Sequence, residues 1–391
     1  MHKFKDSIIK KETQKTDIRN LAFSGGGTKG LMYTGAYEAL DETGVLKDVE
    51  EIAGSSAGAL IATLIACGVE AKFLTSILRT KPFNEFSRPT KTTNPFILAL
   101  QSLAKINCIP LNEDNLPLQQ FIEKLIRCSI TQYIESNEFE TRIISYKSSL
   151  EENLALLSNL AQNIADLKNK LTSENSLALE ELNNFKTSNH KITFADLAFL
   201  RKIHPEKFKT LHITTTYVTN KEELEIFNAK TFPDISIAVA AGASSAFPGP
   251  FKSVQINNTD YYDGGIMDNI PIKYFTNAGR TLAFCFVGDD TKAYYNIFSS
   301  NSTAIIAKLA SSFFRFYLNS IIGVTPQIEQ NIQTCKYLRT ECPLYTIILN
   351  PKDVGMSDIK KATKKFSELY QNAKATTLEH LNKHFLPKSF E

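Results

Sequence analysis

Tryptophan is absent from this 391-residue chain, methionine occurs four times, and the six cysteines form no C-x-x-C pair and no metal-ligand spacing. That excludes a zinc module or a disulfide framework and fits reduced thiols in a cytosolic setting. No run of about 18 apolar residues occurs, so no spanning helix is expected. The richest stretch, 305–324, is interrupted by Lys308, Arg315 and Asn319. The opening residues Met1-His2-Lys3-Phe4-Lys5-Asp6 lack an apolar run before a small-residue cleavage site, and no cleavable secretory leader is expected. A strong charge of one sign is also missing, and a net charge of +3 gives no argument for a nucleic-acid partner. No internal repeat is found. What the chain does have is a 43% hydrophobic share, enough for a real core. Its 26 Phe belong first in that core, with an acyl-chain pocket as the alternative use.

Two small-residue turns stand out. Ile18 to Phe23 reads as a short strand running into Ser24-Gly25-Gly26-Gly27-Thr28-Lys29-Gly30. Residues 49–53 read as a second strand ending in Gly54-Ser55-Ser56-Ala57-Gly58, a G-x-S-x-G pattern that holds a serine hydroxyl exposed on a strand-to-helix turn. Helices follow both, over 31–40 with Gly44 as a stop and over 57–67 closed by Gly68. Strand, turn, helix, repeated, is the rhythm of a parallel α/β sheet, and both turns then open on the carboxyl edge of one sheet. The glycine turn offers free N–H groups to a developing oxyanion, and Ser56 at a helix N-terminus gains from the macrodipole. Gly54 and Gly58 permit the tight turn. Each pattern alone is weakly specific; together they point to an acyl hydrolase.

A serine needs a base. Asp263, in Tyr261-Tyr262-Asp263-Gly264-Gly265 at a strand end, is one candidate. Asp263 followed by His380 or His384 satisfies the order serine, acid, histidine on paper, yet those histidines sit in a Lys-rich amphipathic helix. His204 and His212 precede the acid, and His212 lies on a strand. A Ser56–Asp263 dyad is the preferred reading. Elsewhere, 210–216 and 281–287 read as strands and 235–243 as a small-residue helix. Prolines break 83–130 into short pieces. A Leu-, Asn-, Glu- and Lys-rich segment over 148–182 reads as a long amphipathic helix or helical hairpin, either a packed elaboration, a lid or a partner-binding arm.

These motifs resemble those of the patatin-like phospholipase family. The likeness rests on Leu21 through Gly30 for the oxyanion turn, Ile52 through Leu60 for the serine turn, Ala240 through Phe251, and Asp263-Gly264-Gly265-Ile266-Met267-Asp268-Asn269-Ile270-Pro271 for the acid. It implies a three-layer α/β/α sandwich with a central, mainly parallel sheet. It covers a catalytic domain (18–290) and skips a helical insert at about 135–188, while composition and pattern mark a loose Lys-rich arm (1–17) and a mainly helical C-terminal region (295–391). It implies a Ser56–Asp263 dyad, an oxyanion hole from Gly25, Gly26 and Gly27, and supporting turn positions Gly54, Gly58, Thr28, Lys29, Gly30, Gly264 and Gly265. Lys29 faces a lipid phosphate or solvent on this reading. The implied activity is phospholipase A-type acyl-ester cleavage through an acyl-enzyme, with no metal and no cofactor. The implied partner is a phospholipid surface. Bacterial members carry extra helical regions and depend on host proteins, so the resemblance extends to a translocated effector with an activating host protein, cytoplasmic or peripheral on membranes. The alternatives are a general soluble carboxylesterase or acyl transferase, and a partner-binding effector whose hydrolase core is regulatory.

Overall fold

The computed structural model describes residues 18–80, 114–150, 153–172, 191–218, 222–248, 251–287, 327–356 and 358–386. The expected arm (1–17), the apolar stretch 305–324 and the end of the insert lie outside them. The described order is β1 (Asn20–Phe23), a 3-10 turn (Gly27–Met32), α1 (Tyr33–Glu42), β2 (Glu51–Gly54), α2 (Ala57–Ala66), α3 (Ala71–Thr80), α4 (Leu116–Ile134), α5 (Asn137–Ser149), α6 (Leu154–Thr172) and α7 (Phe194–Ile203). Then come β3 (Thr210–Val218), β4 (Glu222–Phe227), α8 (Ile237–Ser244), β5 (Val254–Ile256), β6 (Thr259–Asp263), β7 (Thr281–Phe286), α9 (Ile328–Glu341), β8 (Thr346–Leu349), α10 (Ile359–Lys364) and α11 (Phe366–His384).

One sheet holds all eight strands in the order β5-β6-β3-β2-β1-β7-β8, with β4 on the far edge of β3. The five strands from β3 to β8 are parallel; β4, β5 and β6 are antiparallel additions. Parallel strands are buried on both faces. Here the faces differ. Leu21, Phe23, Ile52, Leu282, Phe284 and Phe286 point into the larger core, while Ala22, Ala53, Ala283 and Cys285 meet α9 residues Cys335 and Leu338 on the other side. Helices thus cover both faces, the expected three layers. Phe23 stacks on Phe284 at 4.8 Å, and the buried phenylalanines are core residues.

Three readings gain detail. Pro117 does not break 116–134 into pieces. It sits in the first turn of α4, where a missing N–H costs no helical bond. The described part of the insert is two helices, α5, capped by Ser136, and α6. Its anchor is physical, with Leu160 and Leu167 buried, Arg127 donating to the Lys170 carbonyl at 2.6 Å, and Lys170 paired with Asp196 of α7 at 2.8 Å. The described part of the C-terminal region holds α9, α10 and α11 and also supplies β8, four residues that extend the sheet beside β7. The apolar stripe Ala362, Phe366, Leu369 and Ala373 is buried on the core, and Lys374 bridges Glu38 and Glu42 of α1 at 3.0 and 2.7 Å. The five described cysteines are free.

Candidate active site

The register of β3 decides where the acid goes. Ile213 pairs with Gly54 of β2 on one side and Phe227 of β4 on the other. β6 pairs with Thr215 to Tyr217 opposite β4, so it continues along the edge where β2 stops. Asp263 lies across from Thr215, two residues beyond the partner of Gly54. The end of β6 therefore faces the turn that follows β2, and Ser56 meets Asp263.

Ser56 caps α2 with φ 52° and ψ −125°, a strained conformation for a residue with a side chain. Its N–H donates to Ser244 Oγ at 2.9 Å. The helix entry is tight: a Cβ on Gly54 would strike the Gly58 carbonyl oxygen, one on Gly58 the Phe23 carbonyl oxygen, and one on Gly30 the Ala57 Cβ at 2.6 Å. The Ser56 hydroxyl donates to Asp263 Oδ2 at 2.6 Å, the length of a hydrogen bond to a carboxylate. The other oxygen, Oδ1, accepts the Gly265 N–H at 2.7 Å, and Thr216 Oγ1 donates to the Asp263 carbonyl at 3.0 Å. Gly264 lies so close to the Thr214 carbonyl that no side chain fits there. Asp263 is buried, and burial pushes its carboxyl up to about 7, against the lowering effect of the Ser56 hydroxyl and the Gly265 N–H. That value suits a base working near neutrality. The pH dependence follows. If Asp263 must be ionised to accept the Ser56 proton, kcat/KM rises with pH through about 7 and is about 100-fold lower two units below it. A pH–rate profile on a soluble ester checks this; a flat profile from pH 5 to 8 would place the base elsewhere.

The glycine turn needs two corrections. Gly25 was expected to offer its amide to an oxyanion, but its N–H donates to the Asn269 carbonyl at 3.1 Å. Lys29 was read as facing a phosphate or solvent, but it is buried with its ammonium 5.5 Å from the Phe286 ring centroid. The amides of Gly26 and Gly27 have no partner among the described residues. Gly27 has φ 56°, and a Cβ there would strike the Met356 carbonyl oxygen. Thr28 donates its N–H to that same oxygen at 2.8 Å and its hydroxyl to the Gly355 carbonyl at 2.7 Å.

The four described histidines stay out of the site. His212 pairs with Glu51 at 2.9 Å, His204 Nδ1 lies 3.2 Å from the Tyr133 hydroxyl, His380 donates to the Leu344 carbonyl at 2.9 Å, and His384 packs on the His380 ring. Three contributors escaped sequence reading. Ser244, at the end of α8, orients the serine turn. Asn269 places Oδ1 between Gly25 and Gly265, joining the oxyanion turn to the acid turn. Asn331 of α9 accepts the Asn269 N–H at 3.0 Å and donates to the Gly265 carbonyl at 3.1 Å. Asn269 lies within the acid motif and could have been singled out there; Asn331 carries no local signal. No group of three or more His, Cys, Asp or Glu suited to a metal occurs among the described residues.

A family model described as patatin-like phospholipase matches residues 21–276, most of the chain. An uncharacterized Bacillus subtilis (strain 168) protein, YqhO, is 46% identical over 56 residues, which are 14% of this chain and 19% of that protein. In fold, the chain is similar to VipD from Legionella pneumophila, with a TM-score of 0.59 and 18% identity over 98% of this chain and 73% of VipD. It is also similar to ExoU from Pseudomonas aeruginosa, solved with SpcU of the type III secretion system. There the TM-score is 0.50 at 18% identity, over 96% of this chain and 54% of the other.

Proposed function

The chain belongs to the patatin-like phospholipase family, whose members are lipid acyl hydrolases, and we propose that it is a phospholipase A-type enzyme working through Ser56 and Asp263. The observation that carries this reading is the 2.6 Å hydrogen bond between the serine on its strained turn and a buried carboxylate. Asp263 Oδ2 takes the Ser56 proton as Oγ attacks the ester carbonyl carbon. The oxyanion is received by the Gly26 and Gly27 amides, with the positive end of α2 adding to the field. Collapse expels the lysolipid alcohol, which leaves with the proton from Asp263, and an acyl group stays on Ser56. Water then attacks, Asp263 takes its proton, and the fatty acid departs as Ser56 regains a hydrogen. The buried carboxylate starts each half-reaction ionised and ends it ionised.

A phospholipid surface is the proposed substrate partner. No described helix is long and apolar enough to cross a membrane, so contact with lipid would be peripheral in these segments. The reading includes action as an effector with a protein partner, supported by ExoU having been solved with SpcU. The division into arm, catalytic domain and C-terminal region belongs to the same proposal.

The test is release of fatty acid from mixed phospholipid vesicles by wild type and Ser56→Ala, each with and without eukaryotic lysate. Wild-type release that falls at least about 10³-fold in Ser56→Ala is expected. Lysate dependence would support the protein partner. Turnover of short soluble esters with none on vesicles would overturn the phospholipase assignment in favour of a general esterase.

A further inference from the structure

The glycine turn is built from both ends of the chain. Its floor is Phe286, whose ring would be struck by a Cβ on Gly26. Its entry is fixed by the Gly25 N–H bond to the Asn269 carbonyl at 3.1 Å. At its exit Thr28 directs two donors at two consecutive carbonyls, those of Gly355 and Met356. Those carbonyls belong to the loop between β8 and α10. That loop is itself secured. Val354 is buried in the main core, the Gly355 N–H donates to Asp358 Oδ2 at 3.0 Å, and Asp353 pairs with Lys361 and Lys365 at 2.9 and 2.7 Å.

We infer that Thr28 and the loop carrying Gly355 and Met356 form a positioning strap for the oxyanion hole. The inference rests on the acyl-hydrolase reading above. The Gly26 and Gly27 amides lie between the two fixed points and have no partner among the described residues, so the strap at one end sets the direction in which the Gly27–Thr28 segment leaves the turn. Glycine peptides rotate easily, and beyond the Lys29 N–H bond to the Gly26 carbonyl at 3.2 Å the turn relies on outside anchors. An oxyanion donor works by being aimed before the charge develops, and a displacement of about 1 Å is enough to cost about 100-fold. Thr28 is a positioning residue. The strap also explains why the C-terminal region is tied to the catalytic turn: β8 delivers the loop beside β7, whose last residue, Phe286, is the floor.

The experiment compares Thr28→Val, which keeps the shape and loses the hydroxyl donor, with Thr28→Ser, which keeps the donor. Asp358→Ala loosens the loop from outside, and Ser56→Ala is the blank. Kinetics on a short soluble ester separate kcat from KM, and circular dichroism with a thermal melt reports folding. Thr28→Val is expected to lose about 10- to 100-fold in kcat with KM within about 2-fold. Thr28→Ser should return to within about 3-fold of wild type, and Asp358→Ala should show a smaller fall in kcat of about 3- to 10-fold. A folded Thr28→Val with wild-type kcat overturns the strap, as does an equal loss in Thr28→Ser. If Thr28→Val does not fold, Asp358→Ala decides, and an unchanged kcat there overturns the proposal. Wild-type turnover that does not depend on Ser56 removes the acyl-hydrolase reading and the strap with it. Ser56-dependent turnover beside an unaffected Thr28→Val removes the strap alone.

Discussion

Asp263→Asn is expected to lower turnover by about 10³- to 10⁴-fold and, at the same time, to make the protein more stable at alkaline pH. The first effect follows from the loss of the carboxylate that accepts the Ser56 hydroxyl hydrogen bond; an amide oxygen does not take a proton at neutral pH. The second follows from burial. The carboxyl sits at about 7 in the fold, against an ordinary value of 3.8, with desolvation the largest cause. Between those two values the folded state holds a proton that the unfolded chain releases. Stability therefore falls as pH rises from about 4 to about 7, and the full cost is present above it. Asparagine has the same shape and no charge to desolvate, so the variant should gain up to about 4 kcal/mol over wild type at pH 8 and nothing at pH 4. Denaturant titrations at the two pH values check the second effect, and steady-state rates check the first. Near-wild-type turnover would dismiss Asp263 as the base. A variant less stable than wild type at pH 8 but equal at pH 4 would dismiss the account of its ionisation.

Gly58→Ala is expected to destabilise the fold by at least about 3 kcal/mol, whereas Gly44→Ala costs about 1 kcal/mol. The same added methyl meets different physics. At Gly58 it falls on the Phe23 carbonyl and within 2.7 Å of the Ser24 carbonyl oxygen. Phe23 ends a strand held on both sides by β2 and β7, and the Ser24 N–H is bonded to the Phe284 carbonyl at 3.0 Å, so neither gives way easily. Relief requires α2 to lift off the sheet, which carries Ser56 away from Asp263, so activity should disappear even in the folded fraction. At Gly44 nothing lies within 4 Å, and the cost is only that of φ 71°. Paired denaturant midpoints measure both, and comparable losses at the two positions would refute the steric account.

The parts of the molecule readable from sequence are those in which function is packed into consecutive residues. Ser56 on its turn and the glycine turn each depend on backbone geometry that a few small residues specify locally. So do the buried strands β1 and β7. β8 was not readable in the same way, because four apolar residues between helices carry no period that separates a strand from a helix turn. Pro117 misled because a proline marks either a break or a first helical turn, and only the packing of α4 tells which.

The sequence by itself singled out Ser56 and Asp263 as candidates through their glycine-flanked turns, and it determined the parallel α/β class and the carboxyl edge on which the two turns open, since small-residue turns and hydrophobic pattern act locally. Only the tertiary structure decided how they meet. β6 takes up the edge of β3 where β2 ends, Gly25 spends its amide on Asn269, Lys29 is buried over Phe286, and Thr28 is tied to a loop more than three hundred residues away. The reason is that these are single hydrogen bonds and packing contacts between distant segments. Such contacts impose no spacing on the residues around them, and they come into being only when the sheet has brought both ends of the chain to one edge.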